Sequence, residues 1–375
     1  MYNISYDEIL TMMYLSLLIY NYDINSEFIL KQDQTIEEYV NNLNNKYING
    51  INDIKLDKIE TNGILYLKNN FADGKVISFI DNKNIQLAII VSEILKIIVI
   101  VFRGTDSFTD IIYDCYISKK YLDKNIFIHS GFYNQLNSVY GELMIKVEKY
   151  LNDYQIYISG HSAGGAHSTI FSYLLSKKTE KIIKVITFGS PKIGNYEWKQ
   201  SYESKKNILN YRITNNNDIV SVIPIYNYYH VGINIHISND NIIICNDIDC
   251  NFFYFNKNIL FTNSICDHCL FEYYNNFINK EEIFENLIKL YNLEFESKDE
   301  SILNIINNTF VRLSSNISVK LNNEDLLYLR CNSINSNNTY DTYDTNDTNN
   351  TNDTNDTYNT NNTNNTNNLV YMKPI

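Results

Sequence analysis

The chain has 375 residues and a formal net charge of −12. That balance speaks against a nucleic-acid partner and against electrostatic docking on anionic lipid, since both surfaces repel an acidic protein. Hydrophobic residues make up 44% of it and aromatic residues 14%, enough to build a large core, as single-unit α/β enzymes of about 250 residues do.

Residues 1–60 read as mainly helical, with one helix over 5–20 and another over 35–46. Ser5 and Glu8 have the spacing of a capping box ahead of the apolar run Ile9–Tyr20. Asp7 and Glu8 stand where a secretory signal would carry basic residues, and no small-residue cleavage site follows. The run of 12 residues is too short to span a bilayer, so it reads as a packed helix. Strands are expected over Ile64–Asn69, Val76–Ile80, Gln86–Val91 and Ile94–Phe102. The last is a continuous apolar run suited to the buried centre of a sheet, and it ends in Arg103-Gly104-Thr105. Asp106–Lys120 follows as a short amphipathic piece, with Phe108, Ile111 and Ile112 at helix-like spacing. It fits either a packed surface helix or a mobile lid.

His129-Ser130-Gly131-Phe132 opens a helix expected to reach about Asn152. Strands are then expected over Tyr154–Ile158, Lys184–Phe188 and Asn210–Thr214, with a helix over Ala166–Leu175. Short strands within 228–262 and a helix over Lys280–Leu293 complete the pattern. Such alternation predicts an α/β protein with a mostly parallel central sheet and helical crossovers. From about Asn332 the composition changes. Residues 338–368 are a Thr/Asn/Asp tract with almost no apolar side chains. A segment of that kind cannot bury enough surface to offset its ordering entropy and is expected to be disordered. The predicted organisation is a main domain over 1–280, a helical extension over 281–331 and a low-complexity tail over 332–375.

The chemistry concentrates at Gly160-His161-Ser162-Ala163-Gly164. This is the G-x-S-x-G pattern of a nucleophile elbow, lying between a predicted strand and a predicted helix. A strand that turns at once into a helix forces its central residue into a strained conformation. Only very small residues then fit two positions to either side. The serine hydroxyl ends up at a sheet edge, beside a helix N-terminus that favours developing negative charge. Cys266-Asp267-His268-Cys269 is a C-x-x-C, readable as a metal or redox site. No second C-x-x-C stands at zinc-ribbon spacing among the six cysteines.

Several strand ends together resemble the class 3 (fungal-type) lipases of the α/β-hydrolase fold. They are Val101-Phe-Arg-Gly-Thr105, His129-Ser-Gly-Phe132, Gly160-His-Ser-Ala-Gly-Gly-Ala166 and Thr187-Phe-Gly-Ser-Pro-Lys-Ile-Gly-Asn195, then Asn217-Asp-Ile-Val220 with Pro224, and His230-Val-Gly232. They occur in this order over about 60–275. The resemblance implies a Ser-Asp-His hydrolase of carboxylic esters, typically acylglycerols, with Ser162 as nucleophile and Asp218 as the acid. His268 is preferred as the base over His230, whose Tyr-Tyr-His-Val-Gly context looks structural in the family; His161 is read as filler within the elbow. The resemblance also implies an oxyanion hole from the Ala163 and Thr105 N–H groups, with Asp114 supporting the latter residue. Phe108, Ile111 and Ile112 would form a lid or acyl-binding region. Ile111 stands where the family often has a lid tryptophan. A triad of this kind needs no cofactor and no metal. The expected partner is a lipid or other apolar ester, met at a lipid interface. The reading from a different class is a catalytically inactive hydrolase fold serving as a binding module.

Overall fold

The computed structural model describes residues 4–21, 31–48, 58–82, 85–105, 119–224, 226–239, 241–245 and 265–296. The chain divides into two units, Met1–Val319 and Lys320–Ile375, and every described residue belongs to the first. The low-complexity tail and residues 297–331 lie outside the described residues.

Helix α1 (Tyr6–Leu18) starts on the capping box that the sequence announces. The Ser5 hydroxyl accepts from Glu8 N–H at 3.1 Å, and Ser5 N–H donates to Glu8 Oε2 at 2.7 Å. Helices α2 (Ile36–Ile48) and α3 (Lys58–Asn70) follow. Ile64–Asn69, expected as a strand, is therefore the second half of a helix. The reason is its period. Ile64, Leu67 and Phe71 recur every three or four residues and turn one side toward the core. That repeat outweighs the β-forming residues in the run.

The central sheet has the order β1 (Lys75–Asn82), β2 (Ile85–Ser92), β3 (Ile97–Phe102), β6 (Gln155–His161), β7 (Ile183–Phe188), β8 (Ile208–Asn215), β9 (Ile233–Ile237) and β10 (Ile242–Cys245). Pairing is parallel from β3 through β9 and antiparallel at both edges. A separate hairpin joins β4 (Lys119–Tyr121) to β5 (Phe127–His129). Strand β3 shows why helices must cover both faces. Ile98, Ile100 and Phe102 point into one apolar cluster, while Val99 and Val101 point into the other, all fully buried. On the first face lie α4 (Ser130–Val147) and α5 (Ala163–Leu175). The second is covered by α1 together with α7 (Leu270–Phe277) and α8 (Glu281–Glu296). Helices α6 (Tyr196–Glu203) and α7 are not foreseen from the sequence. Phe284, Leu287 and Ile288 of α8 share the cluster that holds Tyr6, Ile9 and Met13.

The parallel register sets the site. Phe102 pairs with Gly160, His161 with Phe188, and Phe188 with Ile213. Four strands thus end at one edge, where open α/β sheets place their chemistry. The segments that leave this edge are Arg103–Thr105, Ser162, Gly189 and Asn216–Asp218.

Candidate active site at the carboxyl edge of the sheet

Ser162 sits between β6 and α5 with φ 58° and ψ −128°. A non-glycine residue in this region carries strain of about 1–3 kcal/mol. Two main-chain hydrogen bonds hold it there: Ser162 N–H donates to Phe188 O at 2.9 Å, and Gly165 N–H donates to Ser162 O at 2.9 Å. The elbow is packed too tightly for a side chain at position 164, where a Cβ would lie 2.2 Å from Phe102 O. Ala163 is the first residue of α5, in the turn where a helix leaves its N–H groups without intrahelical acceptors. Beside it passes the Arg103–Thr105 loop, since a Cβ on Gly104 would stand 3.0 Å from Ser162 Cβ.

His268 Nε2 lies 2.9 Å from Ser162 Oγ. Its Nδ1 lies 3.0 and 2.9 Å from the two carboxylate oxygens of Asp218. All three residues are buried. The carboxylate is further held by Val220 N–H at 2.8 Å and by the Tyr273 hydroxyl at 2.5 Å. Burial, and then the neighbouring Asp218 charge, push the Tyr273 phenol well above its ordinary pKa, so it stays a donor. Gly189 adopts φ +57°, and a Cβ there would stand 2.7 Å from Asp218 Oδ2 and 3.0 Å from His268 Nδ1. A glycine is needed at that point for both reasons.

The turn that carries His268 is tied to the Asp218 loop by polar contacts. Asp267 accepts from Asn217 N–H at 3.1 Å and from Asn216 Nδ2 at 3.3 Å, and its carbonyl accepts from Asn215 Nδ2 at 2.9 Å. Burial raises the Asp267 pKa, opposed by the Asn217 N–H. Asn276 of α7 donates to Asn215 Oδ1 at 2.7 Å. His161 is more than filler, because its Nε2 lies 2.8 Å from the His268 carbonyl and its ring stacks on His268 at 4.6 Å. Sequence reasoning gives Asp267 and Tyr273 no role of their own and reads His161 as filler. Tyr273 and Tyr274 are adjacent identical residues, and only helix phase turns the first toward Asp218 and the second toward Tyr14.

The structure brings His268 to Ser162, whereas the His230 Nε2–H donates to Ser221 O at 2.6 Å. Burial, and then the Arg212 charge, hold the His230 pKa well below its usual value. His129 caps α4, His167 bonds Gln135, and His236 bonds Thr214. Thr105 is exposed at the end of its loop. Phe108, Ile111, Ile112 and Asp114 lie outside the described residues. Cys266 and Cys269 flank His268 as exposed free thiols. Among the described residues no group of three or more His, Cys, Asp or Glu converges on a metal position, and no helix is long and apolar enough to cross a membrane.

The layered sheet with this site at its edge is the α/β-hydrolase fold. The chain is similar in fold to lipase II from Rhizopus niveus, at 22% identity and a TM-score of 0.53, over 70% of this chain and 92% of that one. It is likewise similar to the lipase from Rhizopus microsporus var. chinensis, at 22% identity and 0.52, over 70% and 85%. Residues 99–228 match the family model described as lipase (class 3). Among curated relatives, it is 27% identical to Lipase ZK262.3 of Caenorhabditis elegans over 146 residues, 36% of this chain and 40% of that protein. To a lipase of Rhizopus niveus it is 28% identical over 217 residues, 52% and 53% of the two chains. The chain thus spans about half or less of the length of these two curated relatives.

Proposed function

We propose that the protein is a serine carboxylic-ester hydrolase acting on lipid or other apolar esters, with Ser162, His268 and Asp218 as its triad. The observation that carries this reading is the hydrogen-bonded chain from Ser162 Oγ through His268 to Asp218. The names of the matched relatives, lipases, support the substrate class.

A serine hydroxyl is a weak nucleophile at neutral pH and needs a base in contact with it. His268 Nε2 takes the proton as Ser162 Oγ attacks the ester carbonyl. Asp218 fixes the Nδ1–H tautomer and stabilises the imidazolium. The carbonyl oxygen becomes an oxyanion facing the Ala163 N–H, with the Thr105 N–H as the second donor; losing one such donor costs about 3–4 kcal/mol. His268 then protonates the leaving alcohol. Water activated by the same imidazole hydrolyses the acyl-enzyme. Phe108, Ile111 and Ile112 would supply the acyl-binding surface. Residues 1–280 would form the hydrolase domain, 281–331 an extension and 332–375 a low-complexity tail.

The test is fluorophosphonate labelling, together with a chain-length series of p-nitrophenyl esters beside a phospholipid, for wild type and Ser162→Ala. Labelling and turnover in the wild type alone are expected. A folded wild type that neither labels nor turns over any ester would leave the binding-module reading standing.

A further inference from the structure

Tyr20 lies in the short 3-10 turn that follows α1, outside the region matched by the family model. Its phenol oxygen is 2.7 Å from His161 Nδ1, and His161 Nε2 is 2.8 Å from the main-chain oxygen of His268. For a neutral ring these two contacts admit one proton arrangement. A carbonyl oxygen only accepts, so Nε2 must carry the hydrogen. His161 is buried, and burial, then the nearby His268, push its pKa down to about 3. The ring is therefore neutral at pH 7 and Nδ1 is a lone pair. The Tyr20 hydroxyl must be the donor.

Tyr20 meets a third segment as well. Its ring faces the Arg103 guanidinium at 5.4 Å. A Cβ on Gly104 would stand 2.2 Å from the Tyr20 oxygen, so the hydroxyl lies against the main chain that leads into Thr105. One side chain from the N-terminal segment thus touches the elbow and the Arg103–Thr105 loop, and reaches the turn carrying His268 through a single imidazole.

We propose that Tyr20 is a positioning residue for the hydrolase site: its hydroxyl proton selects the His161 tautomer that anchors the main chain of His268, and its ring seats the loop that ends in Thr105. The proposal rests on the hydrolase reading above. In a donor-less site the neutral His161 ring would have to leave Nδ1 as a buried acceptor without its Tyr20 donor, or turn a lone pair toward the His268 carbonyl. Either outcome loosens the base.

The experiment is a cycle of four proteins: wild type, Tyr20→Phe, His161→Phe and the double variant. Each is assayed where circular dichroism shows it folded. Three quantities are read: the second-order rate of Ser162 labelling by a fluorophosphonate, and kcat and KM for a short p-nitrophenyl ester. Tyr20→Phe keeps the ring and is expected to lower the labelling rate and kcat about tenfold with KM nearly unchanged. In the His161→Phe background the same change is expected to cost nothing more. An unaltered labelling rate in Tyr20→Phe, or an equal loss in both backgrounds, would show that Tyr20 acts by packing alone and would overturn the inference. A wild type that does not label removes the hydrolase reading and this inference with it.

Discussion

The serine and the histidine of this site are held by different physics. The elbow is a steric object. Ser162 keeps φ 58° because main-chain hydrogen bonds and the absence of a side chain at Gly164 leave no other arrangement. The His268 turn is a polar object, fastened through Asp267, Asn215, Asn216, Asn217 and His161 to segments remote in sequence. Steric requirements confine residue type at short range and leave a motif. Polar fastening uses common residues at arbitrary spacing and leaves none. The first kind of support should fail as a folding defect, the second as a loss of rate in a protein that still folds.

The largest effect expected on either side is chemical. Ser162→Ala should cut kcat by about 10⁶ with little change in melting temperature, since the main-chain bonds that hold φ 58° do not involve the hydroxyl. His268→Ala should cost several orders of magnitude. His230→Ala should cost stability first, because its imidazole serves Ser221; a dead His230→Ala beside an active His268→Ala would reverse the assignment of the base. Next comes Gly164→Ala. A Cβ placed 2.2 Å from a main-chain oxygen should destabilise the fold by roughly 4 kcal/mol, visible in urea unfolding. A well-folded Gly164→Ala of low activity would break the contrast drawn above. On the polar side, Tyr273→Phe removes one donor from Asp218 and should lower kcat about tenfold with little change in thermal stability. A loss of melting temperature with kcat intact would move Tyr273 to the steric side.

The smallest effect is in the pH dependence of stability. Burial holds His161 and His167 near a pKa of about 3 and His236 near about 4. The unfolded chain takes up those protons from about pH 6.5 downward, where the folded chain does not. Stability from these groups is therefore present above about pH 6.5 and is lost as pH falls from there toward about 4 for His236 and about 3 for His161 and His167. The melting temperature should drop by several degrees between pH 7 and pH 5, with a flatter slope in His167→Gln. Parallel slopes for the two proteins would contradict the buried neutral state.

The same contrast explains what the sequence discloses. The parallel strands of the central sheet are legible, because β3, β6, β7 and β8 are short apolar runs between helical patterns. The elbow is legible because sterics write it as glycines. Ile64–Asn69 misleads, since β-forming residues there follow a helical period. The neighbours of Asp218 and His268 stay hidden: nothing in Tyr273-Tyr274 or in Asn215-Asn216-Asn217 tells which side chain faces the site until the helix phase and the strand ends are known. Tyr20 is hidden further, because its partner His161 is far along the chain and ordinary in appearance.

The placement of α1 has a consequence for how the chain acquires its structure. The Tyr6 hydroxyl donates to Phe277 O across 271 positions of sequence, and its ring stacks on Phe277. Glu8 meets Lys184 and Tyr157 on two central strands. During synthesis α1 emerges long before α7 and α8, so the part of its apolar side that Phe277, Phe284 and Leu287 cover stays open until they follow. Contacts this distant slow folding and expose apolar surface in the interim. A chain truncated before residue 268 should leave α1 open to chaperones and proteases, and the Tyr20 that follows it would then have no His268 turn to anchor.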